Sequence, residues 1–186
     1  MAVTTDIPRA WIRPARVMRE RLAGGADEKV AFVYVAAASV LGFVAQLPAL
    51  VRRAREPDPT LDAAIAAEAG SGRILTVPSE LADAKFEALV SSALAGWIFF
   101  VPLLLYVVAQ LTHWIARLFG GRGTAARARH ALFWSFLCTM PLMLLAGLTT
   151  GFVGPGIQST IVGVATLSLF AWIWSQSLYV AETPDA

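Results

Sequence analysis

Four apolar runs, at about residues 30–51, 89–115, 131–150 and 157–180, constrain this chain more than any other feature. A hydrocarbon core about 30 Å thick is crossed by roughly 20 apolar residues in a helix, and each run reaches that length. The expected fold is therefore all-α, a polytopic integral membrane helical bundle with four transmembrane helices. Composition agrees: 57% of the 186 residues are hydrophobic and 15% charged, against roughly a quarter charged in a soluble domain, and the mean hydropathy is +0.63. The longest polar stretch, residues 52–88, is too short to be a separate catalytic domain.

Charge sets the expected orientation. The tail of residues 1–29 carries Arg9, Arg13, Arg16, Arg19, Arg21 and Lys29, and the 116–130 loop carries Arg117, Arg122, Arg127 and Arg129. Four spans put both termini and that loop on one side. Across the membrane lie the 52–88 segment, with seven acids against five bases, and a chargeless turn at 151–156. Basic flanks stay in the cytoplasm, so both termini are expected there and 52–88 in the periplasm; Arg52, Arg53 and Arg55 oppose this mildly. Thirteen arginines against two lysines, with many alanines, point to a GC-rich genome and so to a bacterial inner membrane. A 29-residue polar leader is too long for a cleaved signal, which leaves the first run as a retained span.

Within the tail, Trp11, Met18 and Leu22 share an approximate helical stripe with arginines around it. That pattern predicts an amphipathic helix in the headgroup layer, with Pro14 in its first turn and Gly24 and Gly25 ending it; a tail that only sets orientation is the other reading. In 52–88, Thr60 is expected to cap a short helix over 61–69, glycines at 70 and 72 to end it, and Ser79 to cap a helix leading into the second span. That span reaches residue 118, more than about 40 Å at 1.5 Å per residue, and Pro102 should kink it. Pro141 sits in the middle of the third span. Residues 181–186 form a short tail with Glu182 and Asp185.

Gly120, Gly121, Arg122, Gly123 and Thr124, followed by Arg127, are the sharpest local motif. A glycine turn entering a helix capped by Thr124 could bind a lipid headgroup or partner through its amides, helped by the two arginines. The structural reading asks less: glycine ends one helix, threonine caps the next, and the arginines fix orientation. A Walker loop is excluded because no Gly-Lys-Ser/Thr tripeptide occurs, and the dinucleotide-like spacing lacks a preceding strand. Ala38 and Gly42, like Gly147 and Gly151, have the small-xxx-small spacing of helix packing.

Gln110, His113, Gln158 and Gln176, with Ser91 and Ser92 near the start of the second span, are polar groups at membrane depth, where such groups are functional suspects. No span carries a charge near its centre. The single cysteine, Cys138, forms no intrachain disulfide and reads as a packing residue, and two histidines on either side of a loop do not make a metal site. No catalytic residue, cofactor, metal or nucleic-acid partner is expected.

Residues 118–124, the basic stretch after them, and 131–142, with Pro141 before an aliphatic run, resemble the central part of the Yip domain family of Ypt-interacting membrane proteins. Trp11, Pro14, Val17 and Met18 are similar to that domain's proline-containing approach segment. Gly120, Gly121, Gly123 and Pro141 occupy the similar motif. Eukaryotic relatives act in vesicle trafficking and contact Rab GTPases, and prokaryotic members have no settled activity. This chain lacks the Asp-Leu-Tyr-Gly-Pro-type motif and has four spans where that domain has five, so no GTPase contact is carried over. The expected role is a non-enzymatic scaffold, membrane organiser or accessory subunit, with membrane lipids, other membrane proteins or a second copy as partners. The alternative is a small transporter or channel component, with Pro102, Pro141, Gln110 and Gln158 lining a path.

Overall fold

The computed structural model describes residues 3–68 and 78–183. Among them the chain is helical without strands: α1 (Val3–Ile12), α2 (Pro14–Leu22), α3 (Glu28–Arg55), α4 (Pro59–Glu68), α5 (Pro78–Ala95), α6 (Val101–Leu118), α7 (Ala125–Leu148) and α8 (Ile157–Glu182). A π-helical turn, Gly96–Phe100, joins α5 to α6, and another, Thr149–Val153, extends α7. Four helices are long and apolar enough to cross a membrane: Glu28–Arg55, Glu80–Leu118, Ala125–Val153 and Ile157–Glu182. The protein is a multi-pass membrane bundle.

Each helix outruns its apolar run because helix ends follow breakers rather than hydropathy. No breaker stands between Val51 and Pro57, so α3 continues through Arg52, Arg53 and Arg55, which suit the negative end of its dipole. The expected turn at 151–156 shrinks for the same reason: the helix persists to Val153, and only Gly154, at φ +98, and the residues to Gly156 turn the chain. The proline effect in the second span also takes a specific form. Pro102 has no N–H for the carbonyl four residues back, and the π turn just before it shifts the register by one residue, with Val101 N–H donating to Gly96 O.

α7 is the central helix. From Ala128 to Met140 nearly every side chain is buried, including Phe133, Trp134 and Cys138. It runs parallel to α3, and Gly147 and Gly151 let the two backbones touch: a methyl at Gly147 would overlap the Ala45 carbonyl, and one at Gly151 would overlap Pro48. Such approach is how membrane helices gain packing without a hydrophobic drive between them. Gly42 makes room for a side chain instead, with the Trp97 ring of the π turn lying against it.

The amphipathic N-terminal element is present as two helices. Pro14 disfavours the helical conformation at the residue before it, and Arg13 leaves the helix at φ −135, ψ 62. The apolar side of the element is covered by protein: Ala10, Val17, Met18 and Leu22 belong to the bundle core. As expected, Pro14 opens α2, and the chain turns at Gly24 and Gly25.

In the polar segment the cap is Asp58 rather than Thr60. Its Oδ1 accepts from Thr60 N at 3.2 Å, Leu61 N at 3.2 Å and Thr60 Oγ1 at 2.7 Å, because Pro59 occupies the first helical position. Lys85 of α5 is buried and donates to Asp62 at 2.8 Å and to the Glu56 carbonyl at 2.7 Å, tying α4 and α5 beneath the end of α3. The glycine stop at 70–72 and the Ser79 side chain lie outside the described residues.

Candidate functional site at the terminal end of the bundle

The N-terminal hairpin α1–α2, the end of α8 and the 119–124 loop gather at one end of the bundle, and the polar chemistry concentrates there in two clusters. The first is built by the glycine loop. Gly120, at φ +89, ends α6 in the left-handed conformation that glycine takes without strain. The chain then runs against the last turn of α8. Arg122 N–H donates to the Glu182 carbonyl at 2.8 Å. Arg127, in the first turn of α7, donates through Nε to Ala181 O at 3.1 Å and through Nη2 to Val180 O at 3.3 Å. These are end carbonyls of α8, which lack partners inside their own helix, and a guanidinium complements the negative end of the helix dipole.

The glycines are needed for contact. A methyl at Gly121 would come within 2.9 Å of Ala116 O and of Glu182 Oε2, and one at Gly123 would overlap the Ala181 carbonyl. The amides of Gly120 and Gly121 donate to Arg117 O and Ala116 O, so three consecutive amides of the motif already hold carbonyls of this chain. Thr124 caps α7, its Oγ1 accepting from Arg127 N at 3.4 Å. Of the motif's polar side chains, Arg122 and Thr124 are exposed and Arg127 is half-buried. The motif is therefore a clamp on the end of α8.

Under the clamp, Glu182 is buried and its Oε1 lies 2.7 Å from His113 Nδ1. An ionised carboxylate only accepts, so that nitrogen carries the proton when Glu182 is charged. The pair joins α6 to α8 and removes residues 181 and 182 from the free tail expected there. Histidine at membrane depth was visible in the sequence. Its partner was not, although a lone acid in the last turn of an apolar helix was the available signal.

The second cluster anchors the N-terminal hairpin. Asp6, almost fully buried, accepts from Arg21 Nη2 at 2.8 Å and Arg9 Nη1 at 2.9 Å. Arg21 also donates to Tyr34 Oη at 2.5 Å, and its guanidinium lies 3.6 Å from the centre of the Trp134 ring. Planar stacking and a fork of donors suit arginine to this setting. Nearby, His130 is buried with its ring edge-on to Tyr34. Trp11 Nε1 donates to the Cys138 carbonyl at 2.8 Å, three residues before Pro141. Sequence reasoning missed this cluster because its members lie on α1, α2, α3 and α7.

The residues of the transporter reading are dispersed. Gln158 is exposed in the first turn of α8 at the opposite end, Pro141 is exposed on α7, and Pro102 and Gln110 are half-buried on α6. Among the described residues no group of three or more histidine, cysteine or acidic side chains is placed to hold a metal ion. A surface cleft of about 620 Å³ lies at the opposite end of the bundle, between Pro48, Arg52, Arg55, Gly151 and Phe152. No protein-family model, curated protein or solved structure matches this chain.

Proposed function

We propose that this chain is a multi-pass protein of a bacterial inner membrane, with both termini cytoplasmic, that acts without catalysis as a scaffold, membrane organiser or accessory subunit of a larger assembly. The reading is supported by a resemblance to the Yip domain family at Gly120, Gly121, Gly123 and Pro141, and no GTPase contact is part of it. The observation that carries the proposal is unequal burial. Only 11% of the residues in the most apolar stretch of Glu80–Leu118 and 6% in that of Ile157–Glu182 are buried, against 39% in Glu28–Arg55 and 50% in Ala125–Val153. Two spans thus keep nearly whole apolar faces for lipid or for another membrane protein, while the buried charges bind the chain's own ends together.

Orientation is supported by the arginines of α1, α2, the loop and the start of α7, which share one end. Native mass spectrometry of protein extracted from its own membrane in mild detergent tests the role. A complex with a second copy, another membrane protein or retained lipid is the expected result. A solitary monomer carrying neither protein nor lipid would refute it.

A further inference from the structure

The corner between α1 and α2 packs against α7 within its apolar run. Trp11 bonds to the Cys138 carbonyl, and Cys138 lies seven residues inside the apolar run that starts at Ala131, or about 10 Å at 1.5 Å per residue. The inner side of the corner is occupied by Ala10, Val17 and Met18 in the core. Its outer side carries Ile12, 77% exposed, beside Arg9, Arg13 and Arg16. Together with Val17 these residues line a groove of about 290 Å³.

The charge there is unbalanced. Glu20 is shared by Arg9 Nη2 at 3.2 Å and Arg16 Nε at 3.0 Å, and Arg9 also reaches Asp6. Arg13 has no ion pair among the described residues. A guanidinium at the boundary of the hydrocarbon is costly unless an anion meets it, and its planar fork matches the two free oxygens of a phosphodiester. An exposed isoleucine in the same groove calls for an apolar chain next to that anion. Lipid headgroup pockets combine these elements: basic side chains near the membrane surface with apolar contact below them.

We infer that this groove binds an anionic phospholipid of the leaflet on the terminal side, with its phosphate between Arg13 and Arg16 and an acyl chain along Ile12. The site is separate from the glycine clamp, and it does not depend on the scaffold reading. Native mass spectrometry from nanodiscs of phosphatidylcholine, with or without phosphatidylglycerol, tests it. Wild type should retain phosphatidylglycerol in preference to phosphatidylcholine. Each arginine near the surface contributes about a fivefold factor, so the double variant R13Q/R16Q should weaken that preference about twentyfold or more. R122Q, which removes an exposed arginine at the same end but outside the groove, should weaken it by no more than that single-arginine factor.

Arg13→Lys serves as the variant least disturbing to the fold: it keeps the charge and loses the fork, and should retain part of the preference. Circular dichroism confirms that each variant is folded. Wild type without preference for phosphatidylglycerol, or R13Q/R16Q retaining it as well as wild type does, would overturn the proposal. So would a dimer that dissociates in R13Q/R16Q with no lipid preference, since the groove would then belong to a second copy.

Discussion

Replacing Gly123 by alanine probes the clamp with one methyl group. The new carbon would overlap the Ala181 carbonyl and approach Glu182 Cα and Oε2 to 2.9 Å. Two of these three neighbours are backbone atoms in the last turn of α8, so a rotamer change relieves little. Forcing extra volume into a packed contact costs about 1–3 kcal/mol. Lifting the loop instead gives up the Arg122 amide bond, about 1 kcal/mol, and weakens the two Arg127 bonds, about 1.5–3 kcal/mol for a charged donor. Both routes cost a similar amount, so the expected loss is about 1–3 kcal/mol, a fall in Tm of about 3–10 °C for a chain of this size. Tryptophan fluorescence during thermal unfolding in detergent measures it. Gly163→Ala is the control: a methyl at Gly163, on an exposed position of α8, meets nothing within 4 Å, and helix propensity favours alanine there, so its Tm should match or exceed wild type. A Gly123→Ala protein that melts with wild type would refute the close approach of loop and helix.

Other outcomes follow from the buried charges. Asp6→Ala leaves the Arg21 guanidinium buried without its carboxylate, a loss of about 3–5 kcal/mol; limited proteolysis should then cut the N-terminal hairpin before the rest of the bundle. Lys85→Met removes the donor to Asp62 and to the Glu56 carbonyl and should loosen α4 by about 1–3 kcal/mol, read as faster amide exchange confined to α4 and the start of α5. The Thr60 hydroxyl, then the Leu61 amide, hold the Asp58 carboxyl below its ordinary value of 3.8. The capping contribution is therefore complete above that value and is lost as pH falls through the lowered one, so α4 amides should exchange faster in strong acid than at neutral pH once intrinsic rates are corrected.

The spans were legible because length and hydropathy alone decide what crosses a bilayer. Their ends were not, because a helix continues until something stops it: α3 carries three arginines past its apolar run, and α7 starts at Ala125, six residues before its run begins. Pro102 announced a distortion, but not that a π turn at Gly96–Phe100 would set the Trp97 ring against Gly42, a tertiary contact. The glycine motif was recognised and its target was not. Gly121 and Gly123 signal a close approach without saying to what, and Glu182 lies some sixty residues away in sequence. The Asp6–Arg21–Tyr34–Trp134 cluster was wholly hidden, since each member alone reads as a tail charge or an interfacial aromatic. Spacing along one helix reveals faces, whereas pairing between helices is written only in the fold.

Orientation reporters fused in turn to the N-terminus, to the C-terminus and within residues 70–77 decide the topology. Both termini are expected to report from the cytoplasm and the 70–77 insertion from the periplasm. A terminus reporting from the periplasm, or the two termini reporting from opposite sides, would contradict that topology.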